Sequence, residues 1–531
     1  MSAIIRSLIV VVLVSASVSV PAQTDLQAQP VAVTINAQEA GTPFPHFWEQ
    51  MFGSGRAILS LRQSYRDDLT TVKDVTGFQA VRFHGIFMDD VGLYDPSHET
   101  VNPGQTPQAD PNSTTYNFSY VDQIYDGLLA RGVRPFVELS FMPKKMASDP
   151  AALHAFWYKQ NVSPPKSYVL WDQMITAFVQ HLISRYGIDE VSKWGFEVWN
   201  EPNIDFWVGK PAQSTYFELY DQSALTIKKV SNRLHVGGPA TAQAAWVSAF
   251  LNHCHENHIP VDFVTTHVYG NDSAKDVFHT DEQIPRDHMV CAAVHKVHNE
   301  IADSPFPKVP LIVSEYNASY ANEPDVTDTV YMGPWLATTI SQCDGLTEAM
   351  SYWTFSDVFE EQGVVKTPFY GGFGLIAEDD IPKPALNAFA MLHQLGNRRI
   401  EVKSDSVLAT RRQDGSIVIA LWNYAAPYGS GPSYTPPPQV PGPLKSFTVT
   451  LSGISPDAAV TIWRLDANHG NVIKTYDAMG RPSFPTREQI AQLRVAGKAA
   501  LSETTSLRQN TIKISIPPQG LVVLQVEAKN N

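Results

Sequence analysis

Between residues 44 and 395 the chain repeats one pattern: a short β-branched and aromatic run, a polar loop, and an amphipathic stretch of helix length. This alternation favours a parallel sheet covered by helices, because each helix returns the chain to the starting edge. Eight such runs predict a closed (β/α)8 barrel, an α/β fold. The predicted strands are 46–52, 80–87, 134–141, 194–199, 234–238, 262–268, 311–314 and 349–354. The predicted helices include 121–131, 170–186, 214–232, 244–257 and 334–342.

Beyond residue 397 the alternation gives way to short strands without long helices, which is typical of a β-sandwich. We therefore predict an N-terminal segment at 23–43, a catalytic barrel at 44–395 and a β-sandwich at 396–531. The run 31–36 is expected to pair with the C-terminal sheet, and the sandwich is expected to support the barrel rather than act as a separate binding module. The proline-rich stretch 427–443 is expected to be a loop that reaches over a barrel mouth or mediates oligomer contacts. The remaining predicted strands are 407–410, 416–421, 446–451, 459–464, 512–516 and 521–526.

The first 22 residues have the features of a signal peptide. One arginine precedes an apolar run, and small residues lead to a cleavage pattern that ends at Ala22. The apolar run is shorter than the ~20 residues of a spanning helix, which argues against the alternative of a membrane anchor. We therefore expect a secreted or periplasmic protein with no membrane span after cleavage.

The net charge and the cysteine content limit which partners and cofactors we expect this protein to bind. The net charge is -14, with 39 Lys and Arg against 53 Asp and Glu, which is unfavourable for binding nucleic acid. The three cysteines, Cys254, Cys291 and Cys343, have no zinc-binding spacing, so we expect neither a metal nor another cofactor. The odd count leaves at least one thiol unpaired, and we do not expect a fold whose stability depends on disulfides; whether any two of the cysteines pair stays open, and Cys343 is expected to pack within a helix.

Two glutamates are predicted to end strands four and seven. Glu201 follows an apolar run that Pro202 terminates, and Glu315 follows the run 311–314. In a closed barrel these strand ends face each other across the central opening. Two carboxyls about 5 to 5.5 Å apart carry out retaining glycoside hydrolysis, one as proton donor and the other as nucleophile.

The two carboxyls need different protonation states, and we expect the charge of the nucleophile to raise the pKa of the acid. Asn200, directly before Glu201, is expected to hydrogen-bond the sugar 2-OH. The sequence therefore predicts an enzyme that acts on a carbohydrate by double displacement.

The motifs around these glutamates resemble glycoside hydrolase family 39, a family of retaining β-xylosidases and α-L-iduronidases. The similarity covers about residues 40 to 395, and its specificity lies in the order and spacing of the motifs. They are RFHG at 82–85, DDVG at 89–92, EVWNEPN at 197–203, THVY at 266–269, SEYNASY at 314–320 and YWTFSDVFEE at 352–361.

The resemblance implies that Glu201 is the acid/base, that Glu315 is the nucleophile, and that the activity is release of terminal β-D-xylose from xylo-oligosaccharides. Arg82 is expected to be a buried partner of a carboxylate. The residues that the resemblance places around the terminal sugar are His84, His267, Tyr269, Tyr320, Trp353, Glu360 and Glu361.

Other activities stay open at this level. An α-L-iduronidase would need cationic groups for its acidic sugar, whereas Val268 and Tyr269 follow His267 and Glu361 adds negative charge, which favours a neutral pentose such as xylose or arabinose. An endo-acting exopolysaccharide hydrolase would need an open groove. A carbohydrate-binding barrel without turnover would not need both glutamates and Asn200. The oligomeric state is also open.

Overall fold

The computed structural model describes residues 30–100, 104, 106, 108–109, 114–427, 442–498 and 502–528. Eight parallel strands close into one barrel, which confirms the predicted fold class. The strands are β1 Met51–Ser54, β2 Ala80–Phe83, β3 Arg134–Leu139, β4 Gly195–Val198, β5 His235–Thr241, β6 Phe263–Tyr269, β7 Leu311–Asn317 and β8 Ala349–Tyr352.

One long helix follows each barrel strand. They are α1 Gln63–Thr76, α2 Ser119–Leu129, α3 Tyr168–Tyr186, α4 Ala212–Val230, α5 Val247–Glu256, α6 Arg286–Ala302, α7 Met332–Cys343 and α8 Pro384–Leu392. Within the described ranges, no helix has the length and hydropathy needed to cross a membrane. The predicted leader at 1–22 lies outside the described residues.

The first barrel strand begins later than expected. Residues Phe47–Glu49 form a 3-10 helix, and the strand starts only at Met51. The apolar residues Phe44, Phe47 and Trp48 recur at intervals of three and four rather than two, which is the spacing of a helical turn. The prediction of a strand at 46–52 was therefore wrong in its first half.

The C-terminal part is a sandwich of two sheets around a shared apolar core. Val31–Asn36 pairs in parallel with Lys445–Ser452, so the start of the described chain adds a strand to the C-terminal fold. The three-stranded sheet contains Val31–Asn36, Lys445–Ser452 and Thr511–Ile516. The seven-stranded sheet contains, in spatial order, Thr42–Pro43, Arg398–Ile400, Val407–Arg411, Ile417–Asn423, Gly520–Val526, Ala459–Leu465 and Glu503–Ser506.

Two helices lie in sequence between strands of the sandwich, and the sequence analysis missed both of them. They are Val472–Ala478 and Arg487–Ala496. Thr486 and Gln489 form a capping box at the start of the second helix, and the T-x-x-Q spacing was visible in the sequence. Both helices pack on the chain between β8 and α8, so the sandwich buttresses a loop of the barrel mouth. Of the proline-rich stretch 427–443, residues 428–441 lie outside the described residues.

The pairing of the cysteines, which the sequence left open, is resolved by one disulfide. Cys291 on α6 and Cys343 on α7 form a disulfide across neighbouring helices, and Cys254 is a buried free thiol. The two bridged cysteines are 52 positions apart. No local motif links them, because the fold alone brings the two helices together.

Candidate active site

The two predicted catalytic glutamates meet at the carboxyl end of the barrel. Glu201 lies just beyond β4, and Glu315 lies within β7. One carboxylate oxygen of each lies within 4.8 Å of the other, with His267 between them. An oxygen–oxygen distance of at most 4.8 Å is consistent with the ~5 to 5.5 Å carboxyl separation of retaining glycosidases and is shorter than the ~6.5 to 9.5 Å of inverting enzymes.

The backbone at Glu201 is left-handed, with φ of 45°. Pro202 follows, and the Glu201 N–H donates to the carbonyl of Ala240 near the end of β5, at 2.8 Å. The strand therefore ends abruptly at this residue, and its carboxyl group faces the cavity.

Arg82 on β2 organises the floor of the site. Its guanidinium donates to Glu197 at 2.6 Å, to Glu315 at 2.6 Å and to the Oδ1 of Asn200 at 3.0 Å, and it lies 2.8 Å from Glu138. Burial lowers the pKa of Arg82, but the surrounding carboxylates raise it by more than burial lowers it, so Arg82 stays a cation inside the barrel. Arg82 is a buried partner of carboxylates as expected, and one of those carboxylates is the predicted nucleophile.

The carboxylate of Glu315 receives donors on both oxygens. Arg82 donates to Oε1, and the phenol of Tyr269 donates to Oε2 at 2.7 Å. Burial, followed by the charge of Glu315, raises the pKa of Tyr269 well above its usual value, so the phenol keeps its proton. Donors of this kind stabilise an anion, which is the form that a nucleophile needs.

Glu201 has the opposite environment. Burial raises its pKa to about 7, and the nearby charges of His84 and Arg82 only partly offset this effect. The Nδ1 of His267 lies 2.9 Å from its carboxylate, and burial lowers the pKa of His267 to about 4, so that this imidazole is neutral. Burial is the largest cause of this shift and the charges of Asp205 and Glu138 add to it, so the predicted cause, the charge of the nucleophile, is not among the main ones.

His84 and Trp353 form one wall of the site. The Nδ1 of His84 lies 2.8 Å from Glu138, and the ring packs 4.8 Å from Trp353 between centroids. Burial lowers the pKa of His84, but Glu138 more than offsets this and raises it overall. The indole of Trp353 crosses β1 at Gly53, where a Cβ would lie 2.3 Å from the ring, so only glycine fits there.

The side chains of the adjacent residues Glu360 and Glu361 lie in different surroundings. Glu361 lines the cavity, and burial raises its pKa to about 8, so it enters the site as a protonated carboxyl group at neutral pH. Glu360 instead pairs with Arg56 at 2.8 Å and with Arg62, and it is not among the cavity-lining residues. The implied position of Glu360 at the sugar subsite was therefore wrong, because two arginines draw its side chain away.

The cavity has a volume of about 280 Å³. Tyr320 lies at its rim with 57% of its surface exposed, in an edge-to-face contact with Tyr269 at 6.1 Å. Among the described residues that line the cavity, none is Lys or Arg. The lining residues are His84, Phe156, Asn200, Glu201, Ile204, Phe206, Ala242, Gln243, Tyr269, Asp272, Glu315, Tyr320, Trp353, Glu361, Gln362 and Phe373.

Sequence reasoning missed several residues that line the cavity or lie beneath it. Glu138 and Glu197 are carboxylates within otherwise apolar strands, and that mismatch was a usable signal. Phe206, Gln243 and Asp272 come from loops whose course no periodicity predicts. Burial raises the pKa of Asp272 to about 7, and its carboxylate accepts the N–H of Tyr269 at 2.7 Å.

Glu201, His267 and Glu315 are close enough to hold a metal ion, but their chemistry argues against one. Arg82 and Tyr269 already donate to the two oxygens of Glu315. A cation on either oxygen would compete with the donor already there and would be repelled by the nearby guanidinium charge, so this donor set fits proton transfer better than metal binding.

Comparisons with known proteins agree with this geometry. The model of "Glycosyl hydrolases family 39" matches residues 31–511. The beta-xylosidase of Geobacillus stearothermophilus is 38% identical over 482 residues, which cover 89% of this chain and 90% of that protein. The beta-xylosidase of Caldicellulosiruptor saccharolyticus is 33% identical, over 93% of this chain and 98% of that protein. The crystal structure of a monomeric beta-xylosidase from Caulobacter crescentus CB15 superposes with a TM-score of 0.81 at 33% identity, over 94% of this chain and 100% of that chain.

Proposed function

Because this chain belongs to glycosyl hydrolases family 39, we propose that it is a retaining β-xylosidase that releases terminal β-D-xylose from xylo-oligosaccharides. The observation that carries the proposal is the pair of carboxyls within 4.8 Å of each other in opposite electrostatic environments. The carboxylate of Glu315 accepts hydrogen bonds from two donors, whereas burial raises the pKa of Glu201 to about 7, so that Glu201 carries a proton below that pH. This is the division of labour that double displacement requires.

In the first step a carboxylate oxygen of Glu315 attacks the anomeric carbon while Glu201 transfers its proton to the leaving oxygen. The glycosidic bond breaks, a glycosyl ester on Glu315 forms, and the shortened sugar leaves. The ester carries no charge, so Arg82 is less neutralised and stabilises the carboxylate now present on Glu201. In the second step Glu201 takes a proton from water, which attacks the anomeric carbon and releases the sugar and Glu315.

The cavity suits one neutral sugar. Its volume of about 280 Å³ lies at the small end of ligand clefts, which supports release of a terminal residue. Trp353 and Tyr269 offer aromatic surface to the C–H groups of the ring, and Asn200 and Glu361 offer polar groups to the hydroxyls. The carboxylate of a uronic acid would find no lysine or arginine on the described cavity wall to pair with, which disfavours an α-L-iduronide.

The test is a panel of aryl glycosides that includes the β-xyloside, α-arabinosides and the α-iduronide, with the first product followed by ¹H NMR. We expect the β-xyloside to be turned over fastest and β-xylose to appear first. Initial release of α-xylose would overturn the retaining mechanism. A dominant α-iduronide rate would overturn the neutral substrate, and folded protein that turns over no member would leave endo-acting cleavage or binding alone.

We also propose that the chain is exported and cleaved near Ala22. The bridge between Cys291 and Cys343 supports this, because structural disulfides persist mainly in oxidising compartments. The mass of the protein recovered from the periplasm or the medium tests the proposal. Retention of the full chain in the cytoplasm would refute it.

A further inference from the structure

The end of β5 and the loop that joins it to α5 have an unusual backbone. Ala240, Gln243, Ala244 and Trp246 have φ of 53°, 60°, 52° and 63°, in the left-handed region that favours glycine. None of the four is glycine. Conformations of this kind persist only where surrounding contacts impose them, and they concentrate at functional sites.

Those contacts come from the catalytic side of the barrel. Asn203 clamps Ala242 with two hydrogen bonds, donating to its carbonyl at 3.0 Å and accepting its N–H at 2.9 Å. Lys296 donates to the carbonyl of Ala244 at 2.7 Å. The N–H of Glu201 donates to the carbonyl of Ala240, directly before the loop, at 2.8 Å. The loop is thus fixed to the same short segment that presents the acid/base candidate.

The fixed loop brings a polar side chain to the cavity. Gln243 is partly exposed and lines the cavity together with Glu201 and Ile204. Ile204 is 39% exposed although it is apolar. A general acid must reach the glycosidic oxygen, so the leaving sugar lies on the Glu201 side of the cavity, where these two residues also lie.

We propose that Gln243 and Ile204 form a leaving-group subsite for the second sugar of a β-linked pentose oligosaccharide, with Gln243 as its hydrogen-bonding specificity residue. The inference rests on the proposed function. The Gln243 amide donates and accepts, which matches a sugar hydroxyl, and Ile204 offers an apolar face to the ring. The left-handed backbone aims the amide, and the Asn203 clamp maintains that backbone.

The test compares two substrates with the same glycone, xylobiose and 4-nitrophenyl β-D-xyloside, on the full-length enzyme. Gln243→Gly removes the amide from a backbone that glycine adopts readily, so the fold is expected to hold in a thermal melt. We expect the ratio of kcat/KM on xylobiose to kcat/KM on the nitrophenyl xyloside to fall about 3- to 10-fold, as for one lost hydrogen bond. Gln243→Asn is expected to recover part of the ratio. The matched control is Gln413→Ala, an exposed glutamine in a turn of the sandwich, which should leave the ratio as in the wild type.

The outcomes separate the two proposals. A wild type that cleaves both xylosides, with an unchanged ratio in Gln243→Gly, would overturn the subsite and leave the proposed function intact. Equal losses on both substrates, with no recovery in Gln243→Asn, would assign Gln243 a purely structural role and overturn the subsite as well. A folded wild type inactive on both xylosides would overturn the proposed function and the subsite with it.

Discussion

Replacing Glu201 with alanine is expected to separate substrates by how much their leaving group needs a proton. Burial lifts the pKa of Glu201 from its ordinary 4.5 to about 7. At pH 6 a carboxyl with a pKa of about 7 is about 90% protonated, against about 3% at its ordinary value, so burial multiplies the acid form roughly 30-fold. Below pH 7 the acid is present, and above pH 7 it is lost about tenfold per unit.

For the wild type, kcat/KM on xylobiose should therefore fall with an alkaline limb near pH 7. In Glu201→Ala, xylobiose hydrolysis should drop by about 10² to 10⁴, the usual contribution of general acid catalysis. The nitrophenyl xyloside should lose far less, because its leaving group departs as a stable anion. Its remaining kcat/KM should show no alkaline limb near pH 7.

The assay is kcat/KM for both substrates from pH 4.5 to 9, with Glu218→Ala, an exposed glutamate on α4, as the control. Azide added to Glu201→Ala should attack the glycosyl-enzyme in place of water and give β-xylosyl azide. Equal losses on both substrates, or an alkaline limb that survives in Glu201→Ala, would refute the assignment of the acid/base.

Three further changes follow from single contacts. Tyr269→Phe removes the phenol that donates to the nucleophile at 2.7 Å, a charge-assisted bond of ~1.5–3 kcal/mol, so kcat/KM on the nitrophenyl xyloside should fall about 10- to 150-fold; a loss under threefold would contradict it. The double change Cys291→Ser and Cys343→Ser opens a crosslink with a separation of 52 residues, which costs about 4 kcal/mol in the chain-entropy model; urea unfolding should show the loss while kcat/KM is retained. Gly53→Ala places a methyl group 2.3 Å from the indole of Trp353, so it should raise KM for xylosides, and an unchanged KM would count against the role of that wall.

The parts of the molecule with a periodic or local signal could be predicted from the sequence. The alternation of strands and helices predicted the barrel, because eight consecutive strand–helix units are the number that closes a (β/α)8 barrel. Glu201 and Glu315 were identified by their place after apolar runs. The capping box at Thr486 carried an equally local signal that was overlooked.

The rest depends on contacts between distant residues. Glu360 and Glu361 are chemically identical neighbours, and the positions of Arg56 and Arg62 decide which of them reaches the cavity. The pairing of Cys291 with Cys343 likewise depends on two helices becoming adjacent. The pKa of Glu201 depends on how much water the finished barrel excludes, which no single segment encodes.

The parallel pairing of Val31–Asn36 with Lys445–Ser452 places Val31 beside Phe447, a separation of 447 − 31 = 416 positions. All residues of the barrel lie between the two paired strands. The pairing therefore joins residues that are very far apart in sequence, and contacts of this kind form slowly. During synthesis the N-terminal strand emerges first and must wait for almost the entire chain before its partner exists. Until its partner is made, the strand Val31–Asn36 is an unpaired edge with which other chains can pair. The period before this last pairing, rather than the formation of the barrel, is therefore the stage most exposed to aggregation.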